Sequence, residues 1–280
     1  MLIRTTGMVL HTTNYSETSV ITKIFTRQLG VRSYILKGVR STTGRAKVNL
    51  LQPMSYLELV VYDNPKKQIN FIKEIAPAQG QSAYETDPIV TSVRFFMAEL
   101  LYKSLREDEP LPALFDYCAE VITQISQTPQ TPQTPHTPLS PSPSSSSFIV
   151  PHTSAPGGSR PSLASLPILF QLSVLRHLGL EPMNNYSSHE PFFNLKEGRF
   201  MAPPSAFVSV APENSDYLLD GGTSLHLHYY LEAITHAQPV PLLSHTQRSR
   251  LIETLIEYYR IHLADFGRFK SHEILHAVLA

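Results

Sequence analysis

Over residues 3–75 the apolar positions fall in short runs rich in Val, Ile, Thr, Tyr and Phe, a composition that suits a pleated, half-buried surface. The pattern predicts five strands, at 3–11, 19–26, 32–37, 54–62 and 68–75. Turn-forming residues separate them: Asn14 and Ser16, then Gly30, Gly38 with Gly44, and Asp63-Asn64-Pro65, the last placed as in a tight hairpin. In the second run the Val20, Thr22, Ile24 set and the Ile21, Lys23, Phe25 set are not cleanly split into apolar and polar. Both faces of that strand are therefore expected to be partly buried. Five short strands with no long helix between them predict a small antiparallel barrel, of either the oligonucleotide-binding (OB) type or the SH3-like type.

After Pro77 the period becomes helical. Asp87 followed by Pro88 forms an N-cap and first-turn pair, and behind it Ile89, Val93, Phe96, Met97, Leu100 and Leu101 recur at three- and four-residue spacing. Leu114, Phe115, Cys118, Val121, Ile122 and Ile125 make a second stripe. Ile168, Leu169, Leu172 and Leu175 make a third, which Gly179 ends. Ser244 with Gln247 predicts a capping box ahead of Leu251, Leu255, Ile256 and Tyr259. Two more helices are expected at 225–236 and 271–279, and 184–222 reads as irregular with a short hairpin around 193–200. The expected architecture is α+β multidomain, with a barrel domain over 1–79 and a mainly α-helical domain over 80–280. Residues 126–162 interrupt the second domain: of 37 residues 9 are Pro, 10 Ser and 5 Thr, and Arg160 is the only charged one. Such a tract buries too little apolar surface to offset backbone ordering, so it is expected to be a disordered insertion acting as a spacer.

Charge changes the picture. The 23 Lys and Arg balance 23 Asp and Glu over the whole chain. Residues 1–77, however, hold 11 basic and 4 acidic side chains, and the remainder holds 12 basic and 19 acidic. A basic strand module joined to an acidic helical one points to a polyanionic partner for the first. The single cysteine, Cys118, excludes a disulfide framework and a multi-cysteine zinc site. It lies in a helical apolar stripe and reads as a core thiol rather than a nucleophile. No run approaches the ~20 apolar residues of a membrane span, and the opening Met1-Leu2-Ile3-Arg4 is no signal peptide. A soluble, intracellular protein with no membrane partner is expected.

Among motifs, His272-Glu273-Ile274-Leu275-His276 has the H-E-x-x-H form of a zinc hydrolase, two imidazoles one helical turn apart with a glutamate to activate water. Against it, the sequence stops four residues later without a third ligand, and a terminal helix tends to fray. The alternative is a solvated helix face. Neither G-x-x-x-x-G-K-[ST], G-x-G-x-x-G nor G-x-S-x-G occurs, so no catalytic activity and no cofactor are expected. What remains is a loop of cations, Lys37, Arg40, Arg45 and Lys47, interspersed with small residues and no acid. Guanidinium forks and mobile ammonium groups suit phosphate oxygens. Arg27, Arg32 and Lys66 are candidate outer contacts, and Tyr15, Tyr34, Tyr56 and Tyr62 are candidates either for base stacking or for core packing. A third reading is an interaction scaffold whose basic front is incidental.

Several stretches, in order, resemble the bacterial RecO family of recombination mediators. They are Gly7-Met8-Val9-Leu10-His11-Thr12-Thr13-Asn14-Tyr15-Ser16-Glu17, Ile24-Phe25-Thr26, Lys37-Gly38-Val39-Arg40-Ser41, Leu50-Leu51-Gln52-Pro53 and Ala98-Glu99-Leu100-Leu101-Tyr102. Leu178-Gly179-Leu180-Glu181-Pro182 and Tyr258-Tyr259-Arg260-Ile261-His262-Leu263 continue the series. The likeness is greatest to the version found in Bacteroidetes-type bacteria. It implies an N-terminal OB fold, a C-terminal helical domain, and ATP-independent binding of single- and double-stranded DNA with annealing of complementary strands. It implies partnership with RecR, often RecF, in loading RecA onto strands covered by single-stranded-DNA-binding protein, in the cytoplasm at the nucleoid. Many members carry a four-cysteine zinc site, for which this chain lacks the ligands. The resemblance assigns no catalysis to His272 or His276.

Overall fold

The computed structural model describes residues 1–39, 48–78, 87–126, 163–203, 217–236 and 238–279. The first five strands are β1 (Leu2–Asn14), β2 (Val20–Thr26), β3 (Gly30–Leu36), β4 (Tyr56–Tyr62) and β5 (Ile69–Pro77). They close into a barrel in the order β1-β2-β3-β5-β4. Four of the pairings are antiparallel, but β3 and β5 run parallel, with Ser33 opposite Ile69 and Ile35 opposite Phe71. The expectation of a wholly antiparallel barrel is therefore corrected to a mixed one. A ring of five strands cannot alternate direction all the way round, so one seam must be parallel. This connectivity settles the choice between the two barrel types in favour of the OB type.

Both faces of β2 are indeed partly buried, for two separate reasons. Val20 and Ile24 point into the barrel with Val9, Tyr34, Leu57, Leu59 and Val61. Phe25 points outward and, with Met8, Leu10, Val31 and Met54, joins the core of the helical region. Phe115 is fully buried at this junction, edge-on to Phe25 at 5.3 Å and to Tyr56 at 6.0 Å. The apolar core thus runs without a break from the barrel wall into the helices.

The helices form where the stripes predict. Helix α1 (Pro88–Ser104) starts at Asp87, whose carboxylate accepts the Ile89 and Val90 amides at 2.7 and 3.3 Å, satisfying donors that the first turn leaves unpaired. Helices α2 (Pro112–Ser126) and α3 (Leu166–His177) follow, then a small hairpin of β6 (Phe192–Asn194) and β7 (Arg199–Met201). Helix α3 is buried at every residue from 166 to 175, which makes it the centre of the bundle. Its Gln171 backbone oxygen accepts the Tyr259 hydroxyl at 2.7 Å. Helix α4 (Gly221–His236) precedes α5 (His245–His262), which carries the expected capping box of Ser244 and Gln247. The last helix, α6 (Ser271–Val278), is pinned rather than frayed. Glu99 of α1 accepts the Lys270 and Ser271 amides at 3.0 and 2.7 Å, and Leu275 is fully buried.

The Pro/Ser/Thr tract lies outside the described residues from 127 onward. Among the described residues, no helix is long and apolar enough to cross a membrane.

Candidate nucleic-acid interface

The barrel's cations sort into two groups by what they touch. Those on the β2–β3 side are met by acids, all but Asp63 from the helical half of the chain. Lys23 of β2 pairs with Glu107. Arg27, just past β2, makes a forked contact with Asp116 of α2 at 2.7 and 2.9 Å. The hydrogen bond from Arg27 holds the Asp116 carboxyl below its ordinary value and in turn raises the guanidinium. Arg32 of β3 reaches Asp63 at 2.7 Å and Asp108 at 3.0 Å, and its side chain is only 12% exposed. The segment joining α1 to α2 runs alongside β3, with Val31 bridged to Glu107. It approaches so closely that a Cβ on Gly30, where φ is +69°, would lie 2.5 Å from the Glu109 carbonyl oxygen. Arg27 and Arg32, expected as outer phosphate contacts, are thus already engaged by carboxylates.

The second group lies on the β3–β5 side. Lys37 is exposed at the end of β3, with its ammonium 5.3 Å from the centre of the Phe71 ring. Lys66 is exposed in the β4–β5 connection. That connection spans six residues, 63–68, and is not the tight hairpin that Asp63-Asn64-Pro65 suggests. Side chains shape it instead: Asn70 accepts the Asn64 amide at 2.9 Å, and Asn64 accepts the Lys66 amide at 3.0 Å. Lys67 and Lys73 are exposed nearby, Lys73 at 3.5 Å from Glu74. Arg40, Arg45 and Lys47 lie outside the described residues. Lys37 stands two residues past the Ile35–Phe71 pairing and Lys66 three residues before the Ser33–Ile69 pairing. By that register Lys37 falls level with Lys73, midway along β5, whereas Lys66 precedes the strand, so the two do not form one cluster.

The four candidate tyrosines divide as well. Tyr34 is wholly inside the barrel and Tyr56 packs on Phe115, whereas Tyr15 and Tyr62 are exposed. Between β1 and α1 lies a groove of about 560 Å³ lined by His11, Phe95, Tyr102, Lys103, Arg268 and Lys270. His11 and Tyr102 stack there at 5.1 Å. No sequence pattern marked this groove, because its residues come from positions up to 259 apart in the chain.

The H-E-x-x-H residues do not assemble as a hydrolase would need. His272 and His276 sit on α6 with rings 5.6 Å apart, half-buried rather than on a solvated face. Glu273 is exposed and faces Arg268 at 3.8 Å. His276 lies 3.7 Å from Glu253, and burial lowers its basicity. Among the described residues, no group of three His, Cys, Asp or Glu is placed to hold a metal ion.

Comparison with known proteins decides the family. Residues 1–81 match the domain described as Recombination protein O N terminal, and residues 85–137 match Recombination protein O C terminal. The DNA repair protein RecO of Phocaeicola vulgatus is 27% identical over 98% of each chain. The proteins of the same description from Bacteroides fragilis and Christiangramia forsetii are 26% and 25% identical, over 98% and 99% of each chain. The chain belongs to the RecO family. The two matched domains take in the barrel and the helices α1 and α2, and the relatives run end to end with this chain. Within that family the OB-type barrel described above is the N-terminal element of a DNA repair and recombination protein.

Proposed function

We propose that this RecO-family protein is a non-catalytic recombination mediator of the bacterial cytoplasm. In this reading residues 1–79 bind single- and double-stranded DNA, and residues 80–280 form the helical domain that carries partner proteins. The chain anneals complementary strands without ATP and, with RecR, helps load RecA onto DNA covered by single-stranded-DNA-binding protein. The observation that carries the reading is the end-to-end relation to DNA repair proteins named RecO, joined to a barrel with 11 basic and 4 acidic side chains over residues 1–77.

The mechanism is electrostatic. Two DNA strands repel each other through their phosphates, and a surface that neutralises both lowers that repulsion while base pairing proceeds. Lys37, Arg40, Arg45 and Lys47, with Lys66 as an outer contact, would supply the neutralising charge. Arg27 and Arg32 would act instead as struts between barrel and helices. Each neutralised phosphate releases condensed counterions, so the slope of log affinity against log salt counts the contacts. The test is DNA binding and ATP-free strand annealing across a salt series. The Lys37→Ala/Arg40→Ala pair should weaken binding similarly for all sequences and flatten the slope by about two units. An unchanged slope removes this loop from the site, and absence of binding at low salt removes the function.

A further inference from the structure

The face that OB barrels commonly offer to oligonucleotides is formed by strands 2 and 3. Here that side is spent: Phe25 and Val31 pack into the helical core, and Lys23, Arg27 and Arg32 are paired with Glu107, Asp116, Asp63 and Asp108. Away from the helices, where the start of β1, the end of β4 and the start of β5 meet, the barrel wall is open and has an unusual surface. Leu2 of β1 is directly opposite Tyr62 of β4, and Tyr62 is directly opposite Phe71 of β5. Residues opposite one another in a sheet share a face, with Cβ atoms about 5 Å apart. The three therefore form one row across three strands, and they are 49%, 51% and 39% exposed.

We infer that this outward patch at the Leu2, Tyr62 and Phe71 end of β1, β4 and β5 is a stacking platform for the unpaired bases of single-stranded nucleic acid, with Tyr62 and Phe71 as its two aromatic surfaces. The inference rests on the DNA-binding reading and adds to it where, and in which form, the strand is held. The surroundings select nucleic acid over protein. Cores of protein interfaces are depleted in lysine, but this row is rimmed by exposed Lys37, Lys66, Lys67 and Lys73, with Arg4 two residues along β1 from Leu2. Aromatic faces set among mobile cations match the alternation of base and phosphate. Lys37 covers the Phe71 ring at 5.3 Å, and its four-carbon stem lets the ammonium swing to a phosphate as a base takes its place on the ring. A duplex hides its base faces, so the rings serve single strands alone, whereas Lys37 serves both forms.

The test uses the full chain with a labelled oligothymidylate and a duplex of equal length. Tyr62→Ala/Phe71→Ala should lose about 30-fold or more in single-strand affinity while duplex affinity is unchanged. Lys37→Ala should weaken both. Because exposed apolar area is lost in the alanine pair, Tyr62→Leu/Phe71→Leu is measured beside it. Leucine keeps the area and the fold but has no π-face, so single-strand binding should fall there too. The chain has no tryptophan, so Phe71→Trp places a lone reporter that single-stranded DNA, and not duplex, should quench. Unchanged single-strand affinity in the leucine pair, an equal loss for both DNA forms, or a changed sedimentation coefficient with DNA affinity intact would each overturn the platform. In those cases the wild-type protein still binds DNA. If the wild type binds neither form, the broader function falls as well.

Discussion

Replacing Phe115 by alanine tests whether barrel and helices fold as one unit. Phe115 is fully buried in α2 and touches the ring of Phe25 from β2 and that of Tyr56 from β4. The substitution removes a ring's worth of apolar burial and two edge-to-face contacts, and it leaves a cavity that close-packed neighbours fill only partly. Large-to-small changes of this kind cost about 4 kcal/mol. For a chain of this size that corresponds to a fall on the order of 10 °C in Tm. The informative assay is hydrogen exchange by mass spectrometry through a urea titration, because peptides from β1–β4 and from α3–α5 report separately. Both sets should lose protection at the same, lowered urea concentration. Phe71→Ala, at an exposed position, should stay within about 1 kcal/mol of the wild type. Separate midpoints for barrel and helix peptides in the wild type, or a Phe115→Ala loss confined to one set, would refute the shared core.

Two further outcomes follow from buried titratable groups. Burial lowers the basicity of His276, an effect that Glu253 opposes and His272 and His245 reinforce. The unfolded chain, at the ordinary value of 6.5, therefore takes up the proton first. The stability from neutral His276 is present above pH 6.5 and is lost as the pH falls below it. Tm should drop between pH 7.5 and 5.5, and His276→Gln should drop less over the same interval. Cys118 is fully buried and burial pushes its thiol up. A thiol reagent should leave it untouched in the native protein and modify it only at the rate of unfolding.

Much of the fold is legible in the sequence because its signals are local. Asp87 with Pro88, Ser244 with Gln247 and Gly179 mark helix ends where the structure has them, since a cap acts within one turn. The hairpin expected around 193–200 is present, with Phe193 opposite Phe200 and their rings 5.0 Å apart. What the sequence hides is which acid meets which cation. Arg27 and Arg32 look like any exposed arginine in a basic module, but their partners Asp116 and Asp108 lie 89 and 76 positions away. Phe71 was equally hidden. In Ile69-Asn70-Phe71-Ile72-Lys73 every second residue points outward, yet only the barrel's closure shows that the inward ones are Asn70 and Ile72.

The odd number of strands has a mechanical consequence. Along β1 and β4 seven residue pairs hold the wall together, but along β3 and β5 there are only three. Parallel ladders are also slightly less stable per residue. The cylinder is therefore fastened unevenly, with one short joint in an otherwise well-riveted hoop. Breathing of the wall is expected to begin at that joint, and Phe71 sits on it, so a strand captured there would act as a clasp that tightens the whole ring.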